Sequence, residues 1–167
     1  SNDPIKVLVK QADYMTKGDI SFIEIGTYTS QNTQEQTEMV KKLREIQNVK
    51  YAYYNFGGDD NDVLYSEAVE CADNFNERIK IHDFIRENLP TKTEIYVKGK
   101  ELGIDIASYQ KCIEGKEVYI EKIETNNDRI SNMKLKQIPT YIINGKVYDG
   151  LINFESISIE IAQSDGL

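Results

Sequence analysis

Two apolar runs flank a stretch of helical spacing near the start of the chain. Residues 20–25 are mostly apolar with Glu24 inside them, the pattern of a central strand covered on both faces. Residues 49–56 (Val-Lys-Tyr-Ala-Tyr-Tyr-Asn-Phe) alternate well enough to predict a second strand. Between them Met39, Val40, Leu43 and Ile46 recur at helical spacing, and Thr33-Gln34-Glu35-Gln36 has the form of a capping box. The spacing predicts one helix, starting at residue 31 or 33 and running to 47, where Asn48 breaks it. Strand, helix and strand joined by a right-handed crossover make a parallel pair. Ahead of them, Ile5-Lys6-Val7-Leu8-Val9 is β-prone and predicts a first strand at a sheet edge, with residues 13–18 as a connection.

The pattern then changes. Gly57-Gly58-Asp59-Asp60-Asn61-Asp62 is an acidic, turn-rich loop, and residues 62–133 are almost entirely helical in spacing. Leu64, Ala68, Cys71, Ala72 and Phe75 form one apolar face. Ile81, Phe84 and Ile85 form the next, stopped by Leu89-Pro90. Thr91-Lys92-Thr93-Glu94 is a second capping box. Asp105 caps a helix carrying Ile106, Tyr109 and Ile113, and Gly115 separates it from a long helix through Ile120, Ile123, Ile130 and Met133. After Ile138-Pro139, the strings Thr140-Tyr141-Ile142-Ile143 and Lys146-Val147-Tyr148 flank Asn144-Gly145, a strong hairpin signal. Phe154, Ile157 and Ile161 mark a last helix over residues 154–162.

Composition narrows the function classes. Twenty basic residues against 28 acidic give a net charge of −8 over 167 residues, which argues against nucleic acid or an anionic membrane as partner. No apolar run approaches the roughly 20 residues of a membrane helix. Carboxylates in the 57–62 loop lack the distal Glu of an EF-hand, so the loop is expected to be a solvated linker, with no metal and no cofactor. The two cysteines, Cys71 and Cys112, are too far apart for a redox Cys-X-X-Cys motif and too few, with one histidine, for a zinc site. A structural disulfide and two buried thiols both remain open on composition alone. Ser1-Asn2 is taken as an expression remnant, behind which an export signal would already have been removed. The 11 tyrosines, with Tyr51, Tyr53 and Tyr54 on one strand, suit either a recognition surface or half-buried strand packing.

The stretch where chemistry is expected is the turn after the first central strand, Phe22-Ile23-Glu24-Ile25-Gly26-Thr27-Tyr28-Thr29-Ser30-Gln31-Asn32-Thr33. In α/β folds such a strand-to-helix turn lies at the edge where ligands bind. The element order (strands and a helix, a helical block, then Ile-Pro, a hairpin and a helix) is that of an α/β, thioredoxin-like fold with a helical insertion. Residues 1–60 and 136–167 would form the thioredoxin-like part and residues 61–135 the insertion.

Particular strings carry a resemblance. Residues 22–33, Glu70-Cys71-Ala72 with Ile81-His82-Asp83, Leu102-Gly103-Ile104-Asp105 with Lys111-Cys112-Ile113, and above all Ile138-Pro139-Thr140-Tyr141-Ile142-Ile143-Asn144-Gly145-Lys146 resemble the DsbA-like family of exported thiol-disulfide oxidoreductases over nearly the whole chain. The resemblance implies a cis Ile138–Pro139 bond facing the Ser30–Thr33 turn. It also implies a Cys71–Cys112 disulfide bridging the helical block, with both sulfurs buried inside it. Two cysteines at the helix N-terminus carry the family's exchange chemistry. Here Ser30 and Thr33 stand at those places, and a hydroxyl cannot form a mixed disulfide. His82 is expected to be a packing or helix-surface residue.

Three readings follow from the resemblance. In the first, the protein is a redox-inactive member of the bacterial envelope (periplasmic or otherwise exported), with no catalytic residue. It binds an extended or unfolded polypeptide, or a specific envelope protein, in a groove of Ser30, Gln31, Asn32, Thr33, Ile138 and Pro139. The second is a glutathione-dependent transferase or isomerase in which Ser30 donates to the glutathione thiolate. The third is an oxidoreductase acting through Cys71 and Cys112.

Overall fold

The computed structural model describes residues 3–165; Ser1 and Asn2, the expected expression remnant, lie outside the described residues. A four-stranded mixed sheet in the order β2-β1-β3-β4 forms the centre. Its strands are β1 (Ile20–Gly26), β2 (Val49–Asn55), β3 (Thr140–Ile143) and β4 (Lys146–Asp149). β1 and β2 are parallel, with Phe22 opposite Tyr51 and Ile25 opposite Tyr54. β3 runs antiparallel to β1, pairing Ile25 with Thr140, and Asn144-Gly145 joins it to β4. Every residue of β1 is buried, because helices cover both faces of the sheet.

The first element differs from the edge strand expected there. Residues Pro4–Gln11 form helix α1. Asp3 caps it, accepting from Ile5 N–H at 3.0 Å, and Pro4 stands at its first position, where a missing N–H costs nothing and φ is already helical. These start signals outweigh the β-branched residues, and Ile5, Leu8 and Val9 pack as a helical face beside Ile130 and Ile142.

The helix after β1 is broken into α2 (Gln31–Glu35) and α3 (Thr37–Arg44). Its expected capping box is absent: Thr33 lies inside α2 and its hydroxyl accepts from Thr27 N–H. The break falls at Gln36 (φ −91°, ψ 0°). There the Thr33 carbonyl, which a continuous helix would pair with Thr37 N–H, accepts instead from the Arg86 guanidinium at 2.7 Å and from Gln36 N–H.

Between β2 and β3 lie α4 (Asp60–Glu70), α5 (Phe75–Asn88), α6 (Lys92–Glu101), α7 (Ile106–Gly115), a π-helical turn (Tyr119–Ile123) and α8 (Glu124–Asn132). The acidic loop is shorter than expected, because Asp59 caps α4 through its bond from Asp62 N–H. Phe75 is not on the α4 face: the chain turns after Cys71, and Phe75 opens α5 half-exposed. The Thr91–Glu94 capping box forms as the sequence predicts. Tyr65, Ala68, Ile81, Ile85, Ile95, Tyr109 and Ile113 make the core of this block, and Tyr28 of the β1–α2 turn joins it. Helix α9 (Phe154–Asp165) closes the other face, with Ile157 and Ile161 against Phe22, Tyr51 and Tyr141.

Candidate functional site

The turn and the proline loop meet because the register makes them. Thr140 pairs with Ile25, so Pro139 lies level with Gly26, where β1 ends and the turn begins. The Ile138–Pro139 bond is cis. A side chain at Gly26 would come within 2.9 Å of the Thr33 side chain and 3.3 Å of the Tyr53 hydroxyl, so glycine lets α2 sit close on the strand end. Ser30 closes the turn through its N–H to the Thr27 carbonyl (2.9 Å).

The six residues expected to form a groove do not share one exposure. Gln31 and Asn32 are exposed, Ser30 and Ile138 are half-buried, and Thr33 and Pro139 are buried. Thr33 therefore works from beneath: its hydroxyl holds Thr27 N–H at 3.2 Å. What the turn offers outward is the Ser30 hydroxyl and two carboxamides.

Beneath the turn lies a polar network that none of these six residues foretells. Glu24, fully buried in β1, accepts from Arg86 of α5 at 2.6 and 2.9 Å and from the Tyr51 and Tyr141 hydroxyls at 2.7 and 3.3 Å. Since the Tyr51 hydroxyl donates to Glu24, its oxygen receives the Nε2–H of His82 (3.1 Å). That leaves His82 Nδ1 as the acceptor for the Tyr28 hydroxyl at 2.6 Å. His82 is thus a packing residue, as the sequence suggests, but inside the sheet–helix interface and not on the helix surface. Burial, and then the cations Arg86, Arg44 and Lys41, hold its imidazole well below its ordinary pKa, in agreement with a neutral ring. Burial also raises the Tyr28, Tyr51 and Tyr53 hydroxyls well above their ordinary range.

The same helix fixes the turn's backbone. The Gln34 carboxamide donates to the carbonyls of Tyr28 and Arg86, both at 2.8 Å. From the other side Asn55, the last residue of β2, accepts from Tyr28 N–H (3.1 Å) and donates to Ser66 and to the Asp62 carbonyl. Tyr28 is thereby held at its main chain and its hydroxyl. Tyr51 and Tyr54 are packed residues of β2 and not a recognition surface. Chemically, the turn has buried, fully engaged polar groups below and hydroxyl and amide groups above. His82 has both ring nitrogens occupied and faces no solvent, so it is not placed to act as a base.

Cys71 and Cys112 form a disulfide with Cα atoms 5.9 Å apart, joining the end of α4 to α7. Both residues are half-buried: Cys71 lies just past the α4 terminus and packs against the core of the helical block. Lys116 ties the end of α7 to Glu67 of α4 (2.9 Å), and Lys122 ties the π-helical turn to Glu70 of α4 (2.8 Å) and to Asp13 after α1. Among the described residues no three His, Cys, Asp or Glu side chains come together to hold a metal ion, and no helix is long and apolar enough to cross a membrane.

A family model described as thioredoxin matches residues 9–162. The chain belongs to the thioredoxin family. Solved structures share its backbone at low identity. Wolbachia pipientis alpha-DsbA1 is 13% identical with a TM-score of 0.78, over 96% of this chain and 94% of that one. Oxidised BdbD from Bacillus subtilis is 17% identical with a TM-score of 0.77, over 93% of each chain. A thioredoxin-like oxidoreductase from Silicibacter pomeroyi is 15% identical with a TM-score of 0.72, over 100% of this chain and 99% of that one. The comparison with curated proteins finds no match. At such identities the likeness is one of fold, and that fold is the thioredoxin-like α/β architecture of DsbA proteins.

Within this thioredoxin-family chain, sequence reasoning missed Tyr28, Gln34, Asn55 and Arg86 as the residues that position the turn. A signal existed for Arg86. Glu24 is a charged residue in a strand buried on both faces, which demands a buried cationic partner. His82 and Arg86 stand four residues apart, on one face of one helix.

Proposed function

We propose that this protein is an exported, redox-inactive member of the DsbA-like group that binds an extended polypeptide at the Ser30–Asn32 turn and the Ile138–Pro139 loop. The observation that carries this reading is the chemistry of the turn. It is held by hydrogen bonds from Tyr28, Gln34, Asn55 and Arg86, yet it presents Ser30, Gln31 and Asn32 and no sulfur. Both thiols of the chain are engaged elsewhere, in Cys71–Cys112. Thr33 serves this function indirectly, by shaping the turn from beneath.

An extended peptide suits the place. Gln31 and Asn32 each supply amide donors and an acceptor, and half-buried Ile138 adds apolar surface, as does exposed Leu151, which follows Gly150, whose N–H donates to the Pro139 carbonyl. Titration calorimetry with a carboxymethylated, permanently unfolded protein tests the reading. Binding is expected, and Asn32→Arg with Gln31→Arg should weaken it about tenfold or more while leaving Tm unchanged. Absence of binding by the unmodified protein, or indifference to both substitutions, would remove the groove from the account.

One observation favours a second reading. Cys71 and Cys112 are both half-buried residues, neither sealed in the core, and exchange through that pair would need one sulfur open to an incoming thiolate. Protection of the pair from millimolar dithiothreitol in the folded protein would rule that out.

A further inference from the structure

The outer edge of β2 is only partly covered. Asn48 C=O accepts from Ile20 N–H, and Phe56 N–H donates to Gly26 C=O. The even-numbered residues of this strand therefore face β1, and Val49, Tyr51, Tyr53 and Asn55 turn their main-chain groups outward. The connection after α1 satisfies the first of these. Met15 N–H donates to Tyr51 C=O at 2.7 Å, and the Thr16 hydroxyl bonds Tyr51 N–H and Val49 C=O. Beyond Tyr51 the cover stops. Among the described residues, no hydrogen bond reaches the main-chain N–H or C=O of Tyr53.

A cleft lies along this stretch. Its space is about 40 Å³, and Tyr53 and Asn55 line it together with Tyr28, Ser66, Glu70 and Asn126. Ile123, the last residue of the π-helical turn, forms part of the wall. Main-chain groups at the edge of an open cleft take their partner from water or from a ligand that displaces it. In an extended residue the N–H and C=O point side by side in one direction. A primary carboxamide matches that pair: its N–H donates to the C=O while its own C=O accepts from the N–H. The tyrosine rings and Ile123 suit the flat, apolar remainder of such a group.

We propose that the cleft is a second binding site, for a primary carboxamide that pairs with the main chain of Tyr53. The carboxamide comes either from a small free amide or from a glutamine or asparagine side chain of a polypeptide. The site is separate from the Ser30–Asn32 turn and does not depend on the function proposed for it, although Tyr28 borders both.

Acetamide is the probe. Titrated into the ¹⁵N-labelled full chain, it is expected to shift the Tyr53 and Asn55 amide resonances to saturation. N,N-dimethylacetamide, which lacks the donor, should leave them unmoved. Asn126→Phe, at a half-exposed helix position, should block the mouth and weaken binding about tenfold or more, and Asn126→Ala should retain it. A short peptide with one internal glutamine, set against the same peptide with glutamate, separates the sources. Tighter binding of the glutamine peptide than of acetamide assigns the carboxamide to a polypeptide, and binding of acetamide alone assigns it to a small amide. Three results would overturn the proposal: no saturable shift at Tyr53, an equal response to dimethylacetamide, or faster exchange of the Tyr53 amide in Asn126→Ala, which would show that Asn126 already fills the place.

Discussion

Replacing Arg86 by methionine tests whether the network under the turn is a connected unit. The guanidinium makes four bonds: two to Glu24, one to the Thr33 carbonyl and one to the Thr37 hydroxyl. Methionine fills much of the same space but leaves Glu24, which has no solvent exposure, as a buried carboxylate with only tyrosine hydroxyls against it. Breaking a buried pair in this way costs about 3–5 kcal/mol, a large part of the roughly 5–15 kcal/mol that stabilises a domain. Glu24→Gln in the same background removes the stranded charge and keeps an acceptor for Tyr51 and Tyr141. The Glu24→Gln/Arg86→Met double variant should therefore recover a good part of the loss. Equilibrium urea denaturation at pH 7, with the disulfide kept oxidised, gives the three differences for a double-mutant cycle. If the double variant is destabilised by the sum of the singles or more, Glu24 and Arg86 are not coupled and the network described here is wrong.

Two further outcomes follow from the same structure. Replacing Cys71 and Cys112 by serine opens a loop of 41 residues and should cost about 4 kcal/mol by the chain-entropy estimate, read as a lower urea midpoint; a midpoint within error of the parent would contradict a structural role. His82, with its folded pKa held below the ordinary value by burial and by Arg86, leaves stability intact above about pH 6.5. As pH falls below that value the unfolded chain takes up the proton first, and stability should decline toward the folded pKa by up to about 1.4 kcal/mol per pH unit. His82→Gln should flatten that decline between pH 6.5 and 4.5, and an unchanged slope would show that His82 does not titrate in this way.

Much of the architecture was legible because it rests on local signals. The apolar run at residues 20–25, the helical spacing through the middle block, the Thr91–Glu94 box and Asn144-Gly145 each specify their element without help from distant residues. What failed did so where long-range contacts overrode local preference. Ile5-Lys6-Val7-Leu8-Val9 is β-prone, but Asp3 and Pro4 start a helix and the interface with Ile130 rewards it. The helix after β1 breaks at Gln36 because Arg86, 53 residues away from Thr33, takes that carbonyl. The site was legible in outline only. Gln31 and Asn32 are exposed and Ser30 is half-buried, whereas Thr33 and Pro139 were expected in the groove and are buried, since exposure within a turn depends on which face packs against the next layer. The residues that hold the turn come from β2 and α5, and no spacing along the chain announces that they meet.

With Ser30 and Thr33 in place of cysteines, the turn of this thioredoxin-family chain is expected not to exchange disulfides. Turnover in an insulin-reduction assay with dithiothreitol measures that directly, comparing the parent, Ser30→Ala/Thr33→Ala and Ser30→Cys/Thr33→Cys. Background rates are expected for the parent and the alanine variant, and a gain of activity in the cysteine variant, because the turn that positions these residues is intact. Turnover by the parent well above background that survives the alanine substitutions would contradict it.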